Sequence, residues 1–136
     1  MIRRYFQLSR EERGDLYAAA WRLLVVRLVL LFGIRRSARW LDGFSTPAAA
    51  AMDWSLWRRR AAALKRLGSR LPGIECLARA LALRWWMRSA GLDARLRIGA
   101  RPGEDGVAAH AWVELDGVPV DDHPAHVGGF QVILSA

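Results

Sequence analysis

The sequence predicts an α+β fold, with a helical N-terminal half followed by one more helix and a small antiparallel β-sheet. Up to Gly91, apolar residues recur at the three- and four-residue steps of a helix. Beyond Gly91 they alternate with polar residues, which is typical of half-buried strands. The chain has 136 residues, 53% of them hydrophobic, so we expect a single domain over 1–136, with a helical part (1–70) and a core (71–136).

Capping signals set the predicted helix boundaries. Ser9 followed by Glu12 matches a capping box and starts the first helix. A hydroxyl residue before Pro47 starts the third helix, and Gly91 ends the fourth. The predicted helices span 10–32, 36–41, 47–67 and 74–90, with glycines 33, 43, 68 and 91 as their stop signals.

The alternating part predicts strands over 95–100, 107–115, 118–122 and 130–134, with loops at 102–106 and 121–129. Asp116-Gly117 is a hairpin turn whose length sets the register. With a two-residue loop, His110 shares a face of the sheet with Asp121. With a three-residue loop and Gly117 left-handed, His110 pairs with Asp122. Because glycine then occupies the position that needs positive φ, we favour Asp122, with Asp121 as the alternative.

The charge is strongly positive. The net charge is +8, and of the 21 basic residues all but Lys65 are arginine. This pattern fits an anionic partner, or simply a compositional preference for arginine. No nucleic-acid-binding motif accompanies the charge, so we expect no nucleic acid partner.

No secretory signal or membrane span is predicted. The N-terminal residues 1–13 lack an apolar core, and the apolar run 23–34 is interrupted by Arg27. That run is shorter than the roughly 20 residues that span a bilayer. Its arginine-rich flanks leave peripheral membrane contact open. The single cysteine, Cys76, cannot form an internal disulfide, which fits a reducing compartment, and we expect a cytoplasmic protein.

Three residues are candidates for nucleophilic catalysis. Cys76 lies in the first turn of the predicted 74–90 helix, where free backbone N–H groups and the helix dipole favour a thiolate. The same N–H groups could stabilise an oxyanion. His110 on the second strand could take the thiol proton, and an acid on the third strand could orient the imidazole.

Other polar residues have weaker patterns. Trp112 and Glu114 share the His110 face of the strand, and we expect them to contribute to substrate binding. His123 and His126 fall in the predicted loop and are interpreted as surface residues. The histidine spacing matches no closed zinc pattern, so neither a metal nor another cofactor is expected.

The motifs together resemble a known family, and the resemblance is densest over 71–122. They are Cys76-Leu77-x-x-Ala80-Leu81, Leu96-x-Ile98-Gly99, His110-Ala111-Trp112-Val113-Glu114-x-Asp116-Gly117 and Asp122. This set resembles the transglutaminase-like cysteine proteases, which share a papain-like core, and within them the leader peptidases of lasso-peptide biosynthesis. The resemblance implies that Cys76 is the nucleophile, His110 the base and Asp122 the orienting acid.

The resemblance also implies partners. Such proteases remove the leader from a ribosomally made precursor peptide, and a separate cyclase then closes the macrolactam. The residues before Cys76 are predicted to be helical, so we expect the leader-recognition module to be a separate protein. One departure is that papain-like proteases have a glutamine ahead of the cysteine, whereas this chain has only Gln7 and Gln131. The alternatives are a transglutaminase-like acyltransferase and a non-catalytic scaffold that binds acidic peptides or membranes.

Overall fold

The architecture is α+β, as predicted. The structure is a computed structural model, and it describes residues 9–42, 51–68, 75–104 and 106–136. Helices α1 (Arg10–Val29), α2 (Ile34–Asp42), α3 (Trp54–Gly68) and α4 (Glu75–Ser89) precede the sheet. Strands β1 (Arg95–Gly103), β2 (Gly106–Leu115), β3 (Val118–Pro119) and β4 (Gln131–Ser135) follow, with a short helix α5 (Pro124–Val127) before β4. All pairings are antiparallel, in the order β3-β2-β1-β4.

Local capping chemistry confirms the first helix. The Ser9 side chain accepts from the Glu12 N–H, and the Glu12 carboxylate accepts from the Ser9 N–H at 2.8 Å. The helix tightens into a 3₁₀ turn over Leu30–Phe32 and ends at Gly33, which has a φ of 100°. Gly91, with a φ of 87°, likewise follows α4. These ends follow from sequence because each depends only on neighbouring residues.

The third helix begins later than predicted. Residues 51–53 are not helical, and α3 starts at Trp54 rather than at position 47. Asp53 provides the start, since its Oδ1 accepts a 3.2 Å hydrogen bond from the Leu56 N–H. The hydroxyl and proline signal at 45–47 lies outside the described residues, as do the predicted stop at Gly43 and start at Ile74.

The β2–β3 hairpin corrects the predicted register. Leu115 pairs with Val118, so the loop consists of Asp116 and Gly117 alone. Their φ values of 51° and 79° are both positive, which is the conformation of a type I′ turn. The favoured three-residue loop is therefore wrong, because the aspartate as well as the glycine takes the left-handed conformation.

Two further boundaries and one short helix differ from prediction. The third strand ends at Pro119 instead of 122, and the chain bends through 120–122. The β1–β2 hairpin extends to Gly103 and Gly106, into the segment predicted as a loop. Helix α5 was not predicted, although Pro124 in its first turn and His123 as its N-cap are recognisable start signals.

Helix α4 is the central element of the core. It packs against α1, α2, α3 and the sheet, and most of its residues, including Leu81 and Met87, are buried. The face of β2 that carries Ala111 and Val113 belongs to the same core. The first turn of α4, which carries Cys76, is thereby held next to the sheet. In the part of the chain that the structure describes, no helix has the length and apolarity to cross a membrane.

Candidate active site

The structure gathers the predicted chemistry-bearing residues around one cavity. The cavity has a volume of about 200 Å³ and lies between α3, the first turn of α4, β2 and the bend after β3. Its lining includes Cys76, His110, Asp121 and Asp122. Residues far apart in the sequence therefore meet at one place, where β2 passes the start of the central helix.

Cys76 is the second residue of α4, and its thiol is not in a disulfide. The residue is half-buried, and the adjacent Leu77 is buried in the core. This anchoring fixes the orientation of the first turn. The backbone N–H groups of that turn lack partners within the helix, and the helix dipole favours negative charge there.

His110 is held at the other side of the cavity by its Nε2. That nitrogen makes a short hydrogen bond with Oδ2 of Asp122. Because this contact takes up Nε2, a proton from Cys76 would be received at Nδ1. The imidazole also stacks on Trp112, with ring centroids 5.9 Å apart, and lies 5.4 Å from the Phe130 ring. Two aromatic walls therefore restrict its rotation.

Gly99 makes room for those walls. It pairs with His110 across the β1–β2 ladder. A Cβ at this position would lie 2.7 Å from Cβ of Phe130 and 2.8 Å from a ring carbon of Trp112. Neither neighbour can yield that far without repacking. The Ile98-Gly99 motif thus has a steric role: it lets the aromatic side chains close over the strand beside His110.

Asp122 lines the cavity, and its carboxylate has three hydrogen-bond partners. Its Oδ2 is bonded to His110, and its Oδ1 accepts from the His123 N–H at 2.7 Å. Nδ1 of His126 lies 3.0 and 3.1 Å from the two carboxylate oxygens. Burial works to raise the pKa of Asp122, but these hydrogen bonds outweigh burial and hold the pKa below its ordinary value. Asp122 is therefore a carboxylate at neutral pH.

Asp121 lines the cavity but is not the partner of His110. Its Oδ1 accepts a 2.9 Å hydrogen bond from the N–H of Val113. Burial raises the pKa of Asp121 to about 6, against the lowering effect of that hydrogen bond. The hairpin has the register from which Asp121 was the expected partner, yet Asp122 makes the contact. The reason is that pairing stops at Pro119, and the bend turns Asp122 back toward His110.

Trp112 and Glu114, which were expected to bind substrate, do not line this cavity. Trp112 is 1% exposed, and its Nε1 donates to Oε1 of Glu114 at 2.9 Å. Oε2 of Glu114 accepts from Nε of Arg97 at 3.2 Å. In this structure Trp112 packs against the face of the His110 ring, and Glu114 holds Trp112 through a hydrogen bond.

Sequence reasoning missed His126 and Phe130. His126 is exposed, as expected of a surface residue, but it also contacts Asp122 and lies edge-on to His110 at 4.9 Å between centroids. The available signal was the four-residue step from Asp122 to His126 across Pro124, which one helical turn brings together. Ligand atoms of His110, Asp122 and His126 lie within 4.8 Å of one another, so this set has the dimensions to hold a metal ion.

Comparison with known proteins gives one match. A model described as the transglutaminase-like superfamily matches residues 16–135 of the chain. No curated protein and no solved structure gives a significant match. The matched range contains Cys76, His110 and Asp122 together with all the described strands.

Proposed function

Because the chain belongs to the transglutaminase-like superfamily, we propose that it is a cysteine peptidase with Cys76 as nucleophile, His110 as base and Asp122 as orienting acid. One observation carries the proposal: the hydrogen-bonded pair of His110 and Asp122 shares a cavity with the only cysteine, in the first turn of the central helix. A cysteine placed only for packing would need neither the histidine nor the carboxylate.

The geometry supports the following steps. Nδ1 of His110 takes the thiol proton, and the Cys76 thiolate attacks the carbonyl carbon of the scissile bond. The Asp122 carboxylate stabilises the resulting imidazolium through Nε2. The backbone N–H of Cys76 is a candidate donor to the oxyanion. His110 then gives its proton to the leaving amine, and water, deprotonated by His110, hydrolyses the thioester. These steps require no cofactor.

The substrate we propose is the leader-bearing precursor of a lasso peptide, made and processed in the cytoplasm. The support is the combination of the Cys-Leu helix, the Ile-Gly strand and the His-Ala-Trp-Val-Glu strand, and the size of the cavity. About 200 Å³ is less than most ligand sites provide. Such a cavity holds the residues at the scissile bond but not a long leader, so affinity for the leader has to come from elsewhere.

An exposed apolar face on α1 is the candidate docking site for a separate leader-recognition protein. Its large side chains are 48–81% exposed and follow steps of four and three residues: Tyr17, Trp21, Leu24, Leu28 and Leu31. We call this set the α1 stripe. Contiguous apolar surface of this kind is typical of protein interaction sites. Exposed Arg35 and Arg36 follow the stripe and favour an acidic partner surface. The cyclase acts after cleavage and is a second expected partner.

The test is a cleavage assay read by mass spectrometry. Precursor peptide is incubated with this protein, with and without the leader-recognition protein of the same biosynthetic gene cluster. We expect leader and core fragments only when both proteins are present, and none with Cys76→Ala or His110→Ala. Release of the leader by Cys76→Ala would refute the nucleophile assignment. An amide formed from an added amine, with no leader released, would identify an acyltransferase instead.

A further inference from the structure

We propose that His126 is a positioning residue of this site, which acts through Asp122 to hold the His110 imidazole in the orientation that faces the cavity of Cys76. The inference rests on the proposed function in one respect, that Cys76 and His110 form the reactive pair. His126 would touch neither the substrate nor the reacting sulfur. Its role is to hold the carboxylate that holds the imidazole.

The contacts of His126 are unusual for a surface histidine. Its Nδ1 lies 3.0 Å from Oδ1 and 3.1 Å from Oδ2 of Asp122, so a single N–H can bridge both oxygens. Its ring packs edge-on against His110 and against Phe130, at centroid distances of 4.9 and 5.4 Å. The side chain is nevertheless 45% exposed. One residue thus contacts both the base and the orienting acid.

Asp122 needs such support because no strand holds it. The β2–β3 ladder ends at Pro119, and Asp122 lies in the bend beyond it. The orientation of its carboxylate therefore depends on the donors around it. The His123 N–H bonds Oδ1 and His126 bridges both oxygens, so the carboxylate is held with Oδ2 at His110. Without His126 the carboxylate can rotate about χ2, and the imidazolium loses its partner for part of the time.

Helix α5 sets the position of His126. The His123 ring caps this helix by accepting from the Ala125 N–H at 3.1 Å, and Pro124 occupies its first turn. One turn of helix then places His126 four residues after Asp122, within reach of its carboxylate. Sequence patterns alone did not indicate this role of the short helix, which is to place the His126 side chain beside the Asp122 carboxylate.

Several other charged or titratable groups surround the cavity and the His126 ring. They are Lys65 on α3, Arg79 on α4, Arg101 on β1, which lies 4.6 Å over the Phe130 ring, and Asp121 and His123 in the bend. None of them has a hydrogen bond to the Asp122 carboxylate through its side chain, among the residues that the structure describes. His126 is therefore the side chain, besides His110, whose removal takes a hydrogen bond from the Asp122 carboxylate.

The experiment measures the rate of Cys76 alkylation by iodoacetamide against pH in the full chain, with a chelator present so that metal ions play no part. No substrate or partner is needed. In His126→Ala we expect the midpoint of the pH profile to rise by about one unit, which is about a tenfold slower reaction at pH values below the wild-type midpoint. A residue that only supported the fold would lower the melting temperature and leave the midpoint unchanged.

Two variants of similar size separate the effect of the hydrogen bond at the Nδ1 position from the effect of side-chain volume. The amide nitrogen of His126→Asn lies near the position of Nδ1, so this variant should restore most of the wild-type profile. The amide of His126→Gln lies near Nε2, so it should behave like alanine. His123→Asn is the matched control, because asparagine also caps helices and the backbone N–H to Asp122 remains. We expect its profile to match wild type.

The outcomes are distinguishable. If the Asn and Gln variants have the same midpoint, or if all His126 variants match wild type, the positioning role is overturned while the proposed peptidase stands. If wild-type Cys76 itself reacts only at the alkaline pH of an ordinary thiol, the proposed function fails first.

Discussion

At the scale of single residues, the site depends on two adjacent acids with opposite environments. Asp122 is held as a carboxylate by three donors, whereas Asp121 is buried with one. Burial and hydrogen bonding thus divide the pair into one acid that bonds His110, the proposed orienting acid, and one acid that is buried against Val113. Sequence reasoning identified both candidates and ranked Asp122 first, but from a hairpin register that the structure does not have.

The first prediction separates the two acids by activity. Asp122→Asn keeps the size of the side chain but leaves the imidazolium without a charge partner, so we expect cleavage of the precursor to slow by about 10²-fold or more. Asp121→Asn keeps the acceptor for the Val113 N–H and should slow cleavage less than about threefold. Rates come from single-turnover mass spectrometry. A large loss in Asp121→Asn with near-normal Asp122→Asn would transfer the orienting role to Asp121.

The second prediction concerns stability and pH at Asp121. Its pKa in the folded protein is about 6, above its ordinary value of 3.8. The folded state therefore holds this proton more tightly, and stability should fall as pH rises from about 4 through 6, then level off. The expected loss from this group is about 3 kcal/mol, at 1.36 kcal/mol per pKa unit.

Asp121→Asn checks that prediction, because an amide cannot ionise. Free energies of unfolding in urea should agree for wild type and variant near pH 4 and diverge toward pH 7, where the variant is more stable. Parallel curves over this interval would show that Asp121 is not the source of the pH dependence.

At the scale of elements, α1 shows what sequence pattern could not determine. Apolar residues of this helix lie on more than one side, so its periodicity does not reveal which face is covered. In the fold, Ala19, Leu23 and Val26 are buried, and the α1 stripe stays exposed. The reason is tertiary: α3 and α4 cover one side of α1 only. By contrast, the start of α1 was predictable because Ser9 and Glu12 interact locally.

The third prediction tests the α1 stripe. Leu24 is 63% exposed, so Leu24→Glu should change the free energy of unfolding by less than about 0.5 kcal/mol. It should nevertheless weaken binding of the leader-recognition protein by about tenfold or more, measured by calorimetry, since it places a charge in an apolar interface.

Val107→Glu is the matched control for the stripe. Val107 is 77% exposed and lies in the β1–β2 hairpin, away from α1. The Val107→Glu variant should bind the recognition protein as tightly as wild type does. Equal effects of the two substitutions, or none from Leu24→Glu, would mean that the partner docks elsewhere.

At the scale of the whole molecule, the change of period near Gly91 predicted the α+β class correctly. The site was harder to predict because it needs tertiary geometry. A bend after Pro119 and a single turn of α5 decide which acid meets His110 and what supports it, and neither leaves a strong periodic signal. The number of arginines is equally hard to interpret from sequence, because some of them form ion pairs within the fold.

Internal ion pairs account for several of the arginines. Arg59 and Arg60 both pair with Asp15, which is buried between α1 and α3. Arg84, 2% exposed, makes two hydrogen bonds to Asp42 and so joins α4 to α2. The count of 21 basic residues therefore overstates the positive charge available to a partner, whereas the net charge of +8 already allows for these pairs. It still leaves exposed arginines near the α1 stripe, such as Arg35.

The central claim is that the fold brings Cys76 and His110 together as a thiolate and an imidazolium. The most direct measurement is the alkylation rate of Cys76 at pH 6 in wild type and in His110→Ala, under native conditions. We predict that wild type reacts at least about tenfold faster, because a neighbouring imidazolium favours the thiolate form of the cysteine. Equal and slow rates in the two proteins would contradict the account.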